Sequence, residues 1–172
     1  DMEQMLKGII RYRLSKLSVE ELQVLDIISI FSDWASMDAL SSILTKDAVD
    51  LMYLCSQLKQ RQLIVESARG GVIGYALAHD LIRHVLAQRQ PESARRILHL
   101  RVAQYLESRL DRTGSAFYDR LVYHYEAGGN RRKALRYRVL SLSAFTGLCF
   151  DLLPTLSAAP ESTQPDADSL PH

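Results

Sequence analysis

The chain lacks most of the devices by which a small protein performs chemistry. Its two cysteines, Cys55 and Cys149, are far apart, and each sits inside an apolar run. A disulfide framework or a zinc site needs more ligands at closer spacing. Both thiols are therefore expected to be buried and reduced, which points to a reducing compartment and a cytoplasmic protein. No apolar run approaches the ~20 residues that span a bilayer. The opening Met2-Glu3-Gln4-Met5 lacks the basic leader and apolar core of a secretory signal. A formal net charge of +1 sets up no global field toward nucleic acid or membrane. There is no Gly-x-x-x-x-Gly-Lys-Ser/Thr phosphate loop and no Gly-x-Ser-x-Gly elbow. The acidic residues are scattered, so paired-carboxylate catalysis has no support. His79 and His84 miss the i, i+4 spacing of a zinc helix, and His99 and His124 stand alone in their predicted helices. The expectation is a protein that is not an enzyme, with no catalytic residues and no metal.

What is present is periodicity. With 172 residues and 47% hydrophobic content, the chain can form one domain or two small ones. It opens on Asp1 and reads as a segment of a longer protein. Met2, Met5, Leu6, Ile9, Ile10 and Leu14 recur at helical spacing over residues 2–14. Ser18-Val19-Glu20-Glu21 spells a capping box. The helix after it is predicted to bury Leu22, Leu25, Ile28 and Ile30 or Phe31 and to stop near Ser32-Asp33. Trp34 falls in a link, and a short helix is expected from Met37 to Leu44. Thr45 or Asp47 caps a third, whose apolar positions are Val49, Leu51, Met52, Leu54, Cys55 and Leu58. Two β-prone runs, from Leu63 and from Val72, flank Arg69-Gly70-Gly71, a turn for which glycine supplies positive φ. Three helices and then a β-hairpin is the order of a winged helix.

After Ala78-His79-Asp80 the pattern turns helical. Leu81, Ile82, Val85 and Leu86 form one apolar face, and Pro91 restarts the helix. Ala94, Ile97, Leu98, Val102, Leu106 and Leu110 form the stripe of a long helix ended by Thr113-Gly114-Ser115. Phe117, Leu121, Val122 and Tyr125 follow, then the stop Ala127-Gly128-Gly129-Asn130. Ala134, Leu135, Tyr137, Leu140 and Ala144 are expected to face inward on the last helix. Short Gly-containing turns predict antiparallel packing. The many arginines of this half read as solvated helix faces. From Pro154 the Pro, Ser and Asp content predicts a flexible tail.

Leu17-Ser18-Val19-Glu20-Glu21-Leu22 resembles the start of the winged-helix part of STAND-type signalling ATPases, a class that includes large bacterial transcription regulators. Ala78-His79-Asp80-Leu81-Ile82-Arg83 resembles the His-Asp motif that closes that winged helix. Arg95-Arg96-Ile97-Leu98-His99 is similar to the helix that follows it. Tyr123-His124-Tyr125-Glu126-Ala127-Gly128-Gly129 with Lys133-Ala134-Leu135 is similar to the opening of its tetratricopeptide-like array. The expected fold is mainly α: a linking helix at 1–14, a winged helix at 15–90, an antiparallel helical segment at 91–150 and a flexible tail at 151–172, the resemblance covering most of residues 15–145. The resemblance implies a non-catalytic regulatory module that couples an upstream nucleotide-binding domain to downstream sensor repeats, with protein partners and no membrane. It also implies that His79 contacts a nucleotide phosphate in the full-length protein, where ATP or ADP binds, while this segment itself holds no cofactor. The plainer expectation is that Asp80 caps the helix and His79 packs on the hairpin. Two alternatives stay open, a DNA-binding winged-helix transcription factor and a tetratricopeptide-like scaffold. DNA is not favoured, because Asp47 and Asp50 of the third helix would face phosphates and the hairpin offers only Arg69.

Overall fold

The computed structural model describes residues 1–31, 33–109 and 115–146. The expectations for Ser32, Leu110, Thr113-Gly114, Cys149 and the tail lie outside the described residues, as do side-chain statements for Ser115. Helix starts follow the local chemistry. Asp1 caps α1 (Met2–Leu14). Ser18 and Glu21 form both halves of the capping box, at 3.1 and 2.8 Å, and begin α2 (Val19–Ile30). A two-residue strand, β1 (Ala35–Ser36), runs directly into α3 (Met37–Leu44), whose Ala39 N–H donates to Ser36 Oγ at 3.1 Å. Asp47 caps α4 (Ala48–Gln60), accepting from Val49 N–H at 2.8 Å. Thr45 instead closes α3 in the left-handed region at φ 54°.

The hairpin forms as read, with β2 (Ile64–Arg69) and β3 (Val72–Leu77) joined through Gly70 and Gly71 at φ 58° and 78°. The helices α5 (Asp80–Arg89), α6 (Glu92–Glu107), α7 (Ser115–Ala127) and α8 (Arg131–Thr146) complete a mainly helical chain with one antiparallel sheet, ordered β1-β3-β2. Ser141 Oγ donates to Asp119 at 2.5 Å and Lys133 Nζ to Tyr125 at 3.2 Å, so α7 and α8 run antiparallel.

Strand β1 is absent from the sequence reading because two residues carry no periodicity. It exists by pairing with β3, Ala35 opposite Tyr75 and Ser36 opposite Gly74. Gly74 is the residue that permits this approach. A Cβ there would lie 2.5 Å from the Ala35 carbonyl oxygen and as close to the Trp34 ring. Gly74→Ala is expected to lower stability by about 2 kcal/mol through overpacking. Trp34 is the only tryptophan, so its emission should shift to the red along with a lower thermal midpoint. An unchanged midpoint would mean that the sheet yields without loss.

One cluster of buried side chains runs from Leu14 through α2, α3, α4 and α5 to Leu121, Tyr125 and Tyr137. Several predicted inward positions are corrected. On α4, Leu51, Leu54, Cys55 and Leu58 are buried, whereas Val49 and Met52 are exposed. The buried four fall at i, i+3, i+4 and i+7, and the other two lie on the opposite arc. Ile97 of α6 and Leu135 and Ala144 of α8 are likewise exposed, and Leu22 is only half-buried. Cys55 is free and buried, and desolvation pushes its thiol up to about 12. Among the described residues no helix is long and apolar enough to cross a membrane.

Candidate functional site

The corner between β3 and α5 is fixed by backbone contacts on both sides. Ala78 N–H donates to Leu63 O at 3.0 Å, and Ile82 N–H donates to His79 O at 3.0 Å. His79, extended at φ −150°, occupies the cap position and makes no side-chain capping bond. Asp80 is the first helical residue, so the expected Asp80 cap does not form. His79 is exposed and does not pack into the hairpin. Asp80 lies 3.9 Å from Arg83 Nε. Arg83 is half-buried and donates to the Phe31 carbonyl at 3.1 Å and to that of Ser29, tying α5 to the unsatisfied C-terminal end of α2. His84 Nδ1 lies 3.1 Å from the Asp80 carbonyl, so His79 and His84 do not converge.

A cleft of about 840 Å³ separates the sheet from the later helices, walled by the rings of Trp34, Tyr105, Phe117 and Tyr123. Four of its charges are matched in pairs. Arg69 binds Asp33 at 2.5 and 3.0 Å and lies over Trp34 at 5.4 Å. Arg109 pairs with Asp38, which also accepts from Tyr105 OH at 2.8 Å. The Arg69 hydrogen bond holds the Asp33 carboxyl below its usual range.

His124 borders the same cleft, and here the structure joins two residues that the sequence left apart. His99 of α6 and His124 of α7 meet with Nδ1 atoms 3.1 Å apart, at 4% and 2% exposure. One ring must donate that hydrogen and the other accept it, so the accepting ring is neutral. Burial, then His99 and Arg120, lowers His124 to about 3; burial, then Arg95, lowers His99. The signal was available in the apolar spacing. His99 shares an arc with Val102, Ala103 and Leu106, and His124 with Leu121 and Tyr125. Among the described residues no three His, Cys, Asp or Glu side chains cluster to hold a metal.

A second polar knot joins α6, α7 and α8. Glu107 accepts from Tyr125 OH at 2.5 Å, Tyr137 OH at 2.6 Å and Lys133 Nζ at 2.7 Å. The two tyrosine rings stack with centroids 5.8 Å apart. Burial alone would raise the Glu107 carboxyl, but these three donors leave it lowered.

The cations near α4 are held by the chain's own carboxylates. Lys46 pairs with Glu20 at 2.6 Å, Lys59 with Glu66 at 2.8 Å, and Arg61 Nε with buried Glu21 at 3.5 Å. Glu21 Oε1 has that ionic neighbour but no hydrogen-bond donor. The outward face of α4 presents Val49, Met52 and Tyr53.

Comparison with known proteins returns no matching family model, no matching curated protein and no matching solved structure.

Proposed function

We propose that this chain is a non-catalytic regulatory and interaction module of a STAND-type signalling ATPase or transcription regulator. In this reading α2, α3, α4 and the hairpin are a winged helix, α6 to α8 open a tetratricopeptide-like array, and the two together relay state between a nucleotide-binding domain and sensor repeats. The observation that carries it is the His79-Asp80 corner. Its backbone is pinned from both sides while its two side chains stand in solvent, which suits a contact point for a neighbouring domain. An exposed imidazole there can donate to a phosphate held by that neighbour. The reading also fits a packing corner that differs between two states of the longer protein.

DNA binding draws less support. A recognition helix needs outward cations or amides. The α4 face offers apolar groups, Asp50 and cations already paired. The test has two arms. The reading frame that encodes this chain should also encode a phosphate loop upstream, and His79→Ala in that longer protein should speed release of bound ADP. No phosphate loop upstream, or an unchanged release rate, would count against the reading. Submicromolar binding of the chain to mixed duplex DNA at low salt would transfer support to a DNA-binding winged helix.

A further inference from the structure

Two exposed helix faces on different parts of the molecule are complementary in both charge and apolarity. On α4, Val49, Met52 and Tyr53 are 71%, 59% and 67% exposed, and Asp47 and Asp50 stand in solvent at the N-terminal end of the same helix. On α8, Arg131, Leu135, Arg138 and Leu142 follow one another at i, i+4, i+7 and i+11, all exposed, with Leu135 at 64%. Arg131 and Arg132 stand in the first turn of α8, which contains no acidic residue. Guanidiniums at the positive end of a helix dipole are unfavourably placed, and a carboxylate brought from outside relieves them. Among the described residues no ion pair involves Asp47, Asp50, Arg131 or Arg132, whereas Arg138 is already paired with Glu126.

The spacing matches as well. Tyr53 lies three residues beyond Asp50, and Leu135 lies four beyond Arg131. Each face therefore sets its apolar group about one helical turn, ~5 Å, past its charge. Two such helices laid side by side in the same direction bring Asp50 to Arg131 and Tyr53 to Leu135 in a single register, because the opposite sense of the two offsets about their axes puts both pairs on matching sides of the contact.

We propose that the α8 face of one copy docks on the α4 face of a second copy. This goes beyond the regulatory reading and does not depend on it. The contact is heterologous, so each copy keeps one free face and assembly continues into a ring or an open chain. One helix stripe against another is a small interface, and the association is weak and concentration-dependent. Its charged rim makes it sensitive to salt.

Sedimentation velocity of the purified chain over a rising concentration series tests the contact. The expected result is a weight-average mass that climbs above the monomer at low salt. Asp50→Arg and the pair Arg131→Glu with Arg132→Glu should each weaken association about tenfold. An equimolar mixture of the two should recover it, because each then offers the other an opposite charge. A chain that stays monomeric throughout, or association that ignores both swaps, overturns the proposal. Should a swapped chain fail to fold by circular dichroism, Tyr53→Cys mixed with Leu135→Cys should give a disulfide-linked pair absent from either variant alone. Failure to cross-link overturns it equally.

Discussion

Taking the protein from pH 7 to pH 5 is expected to remove about 2 kcal/mol of folding stability through His124 alone, and about 3 kcal/mol by pH 4. The folded ring, buried against His99, takes up a proton only near 3, whereas an unfolded histidine does so near 6.5. Above that value neither state binds the proton and stability does not change. Below it the unfolded chain holds a proton that the fold refuses, and stability falls as pH falls. His99 shifts in the same direction. The lowered carboxylates, Glu107 among them, add their own loss only below about 4.5, and Asp26, raised by burial, opposes it. The interval from 6.5 to 5 therefore carries the imidazole loss, which comparison with a His124 variant separates from any change at Asp26. Urea midpoints at pH 7, 6 and 5 should fall for the native chain and fall much less for His124→Gln, which keeps a hydrogen-bonding group beside His99. Equal slopes in the two chains would show that the buried pair is not the source.

Glu107→Leu is expected to cost about 3 kcal/mol, because it leaves an ammonium and two phenols without their shared acceptor. The loss should be smaller for Glu107→Gln, which can still accept on one oxygen. Adding Lys133→Met to Glu107→Leu should restore part of the loss, since two apolar groups then replace a broken ion pair. Chemical unfolding of the single and double variants gives the coupling directly. Additive losses would mean that Lys133 and Glu107 act independently despite their 2.7 Å contact.

The legible parts of this protein were those set by neighbours in sequence. The capping box at Ser18-Glu21, the Gly70-Gly71 turn and the helix stop at Gly128-Gly129 all arise from interactions within a few residues, so the residues announce them. The helices followed from apolar spacing for the same reason. The inward stripes were less secure where an apolar residue occupied the far arc. Val49, Met52 and Leu135 match the composition of a core position but not its angle about the helix. At the His79 corner the residue pair suggested an Asp cap. The chain shifts by one residue, because His79 takes the extended conformation that leaves β3 and Asp80 already has helical geometry.

Sequence alone thus determined the helical content, the hairpin and most helix boundaries, since each depends on local hydrogen bonds and side-chain period. Tertiary structure decided which polar groups meet: His99 with His124, Glu107 with Tyr125, Tyr137 and Lys133, and Arg83 with the end of α2. These partners lie tens of residues apart, and their contact depends on how whole helices pack, a geometry that no local pattern encodes.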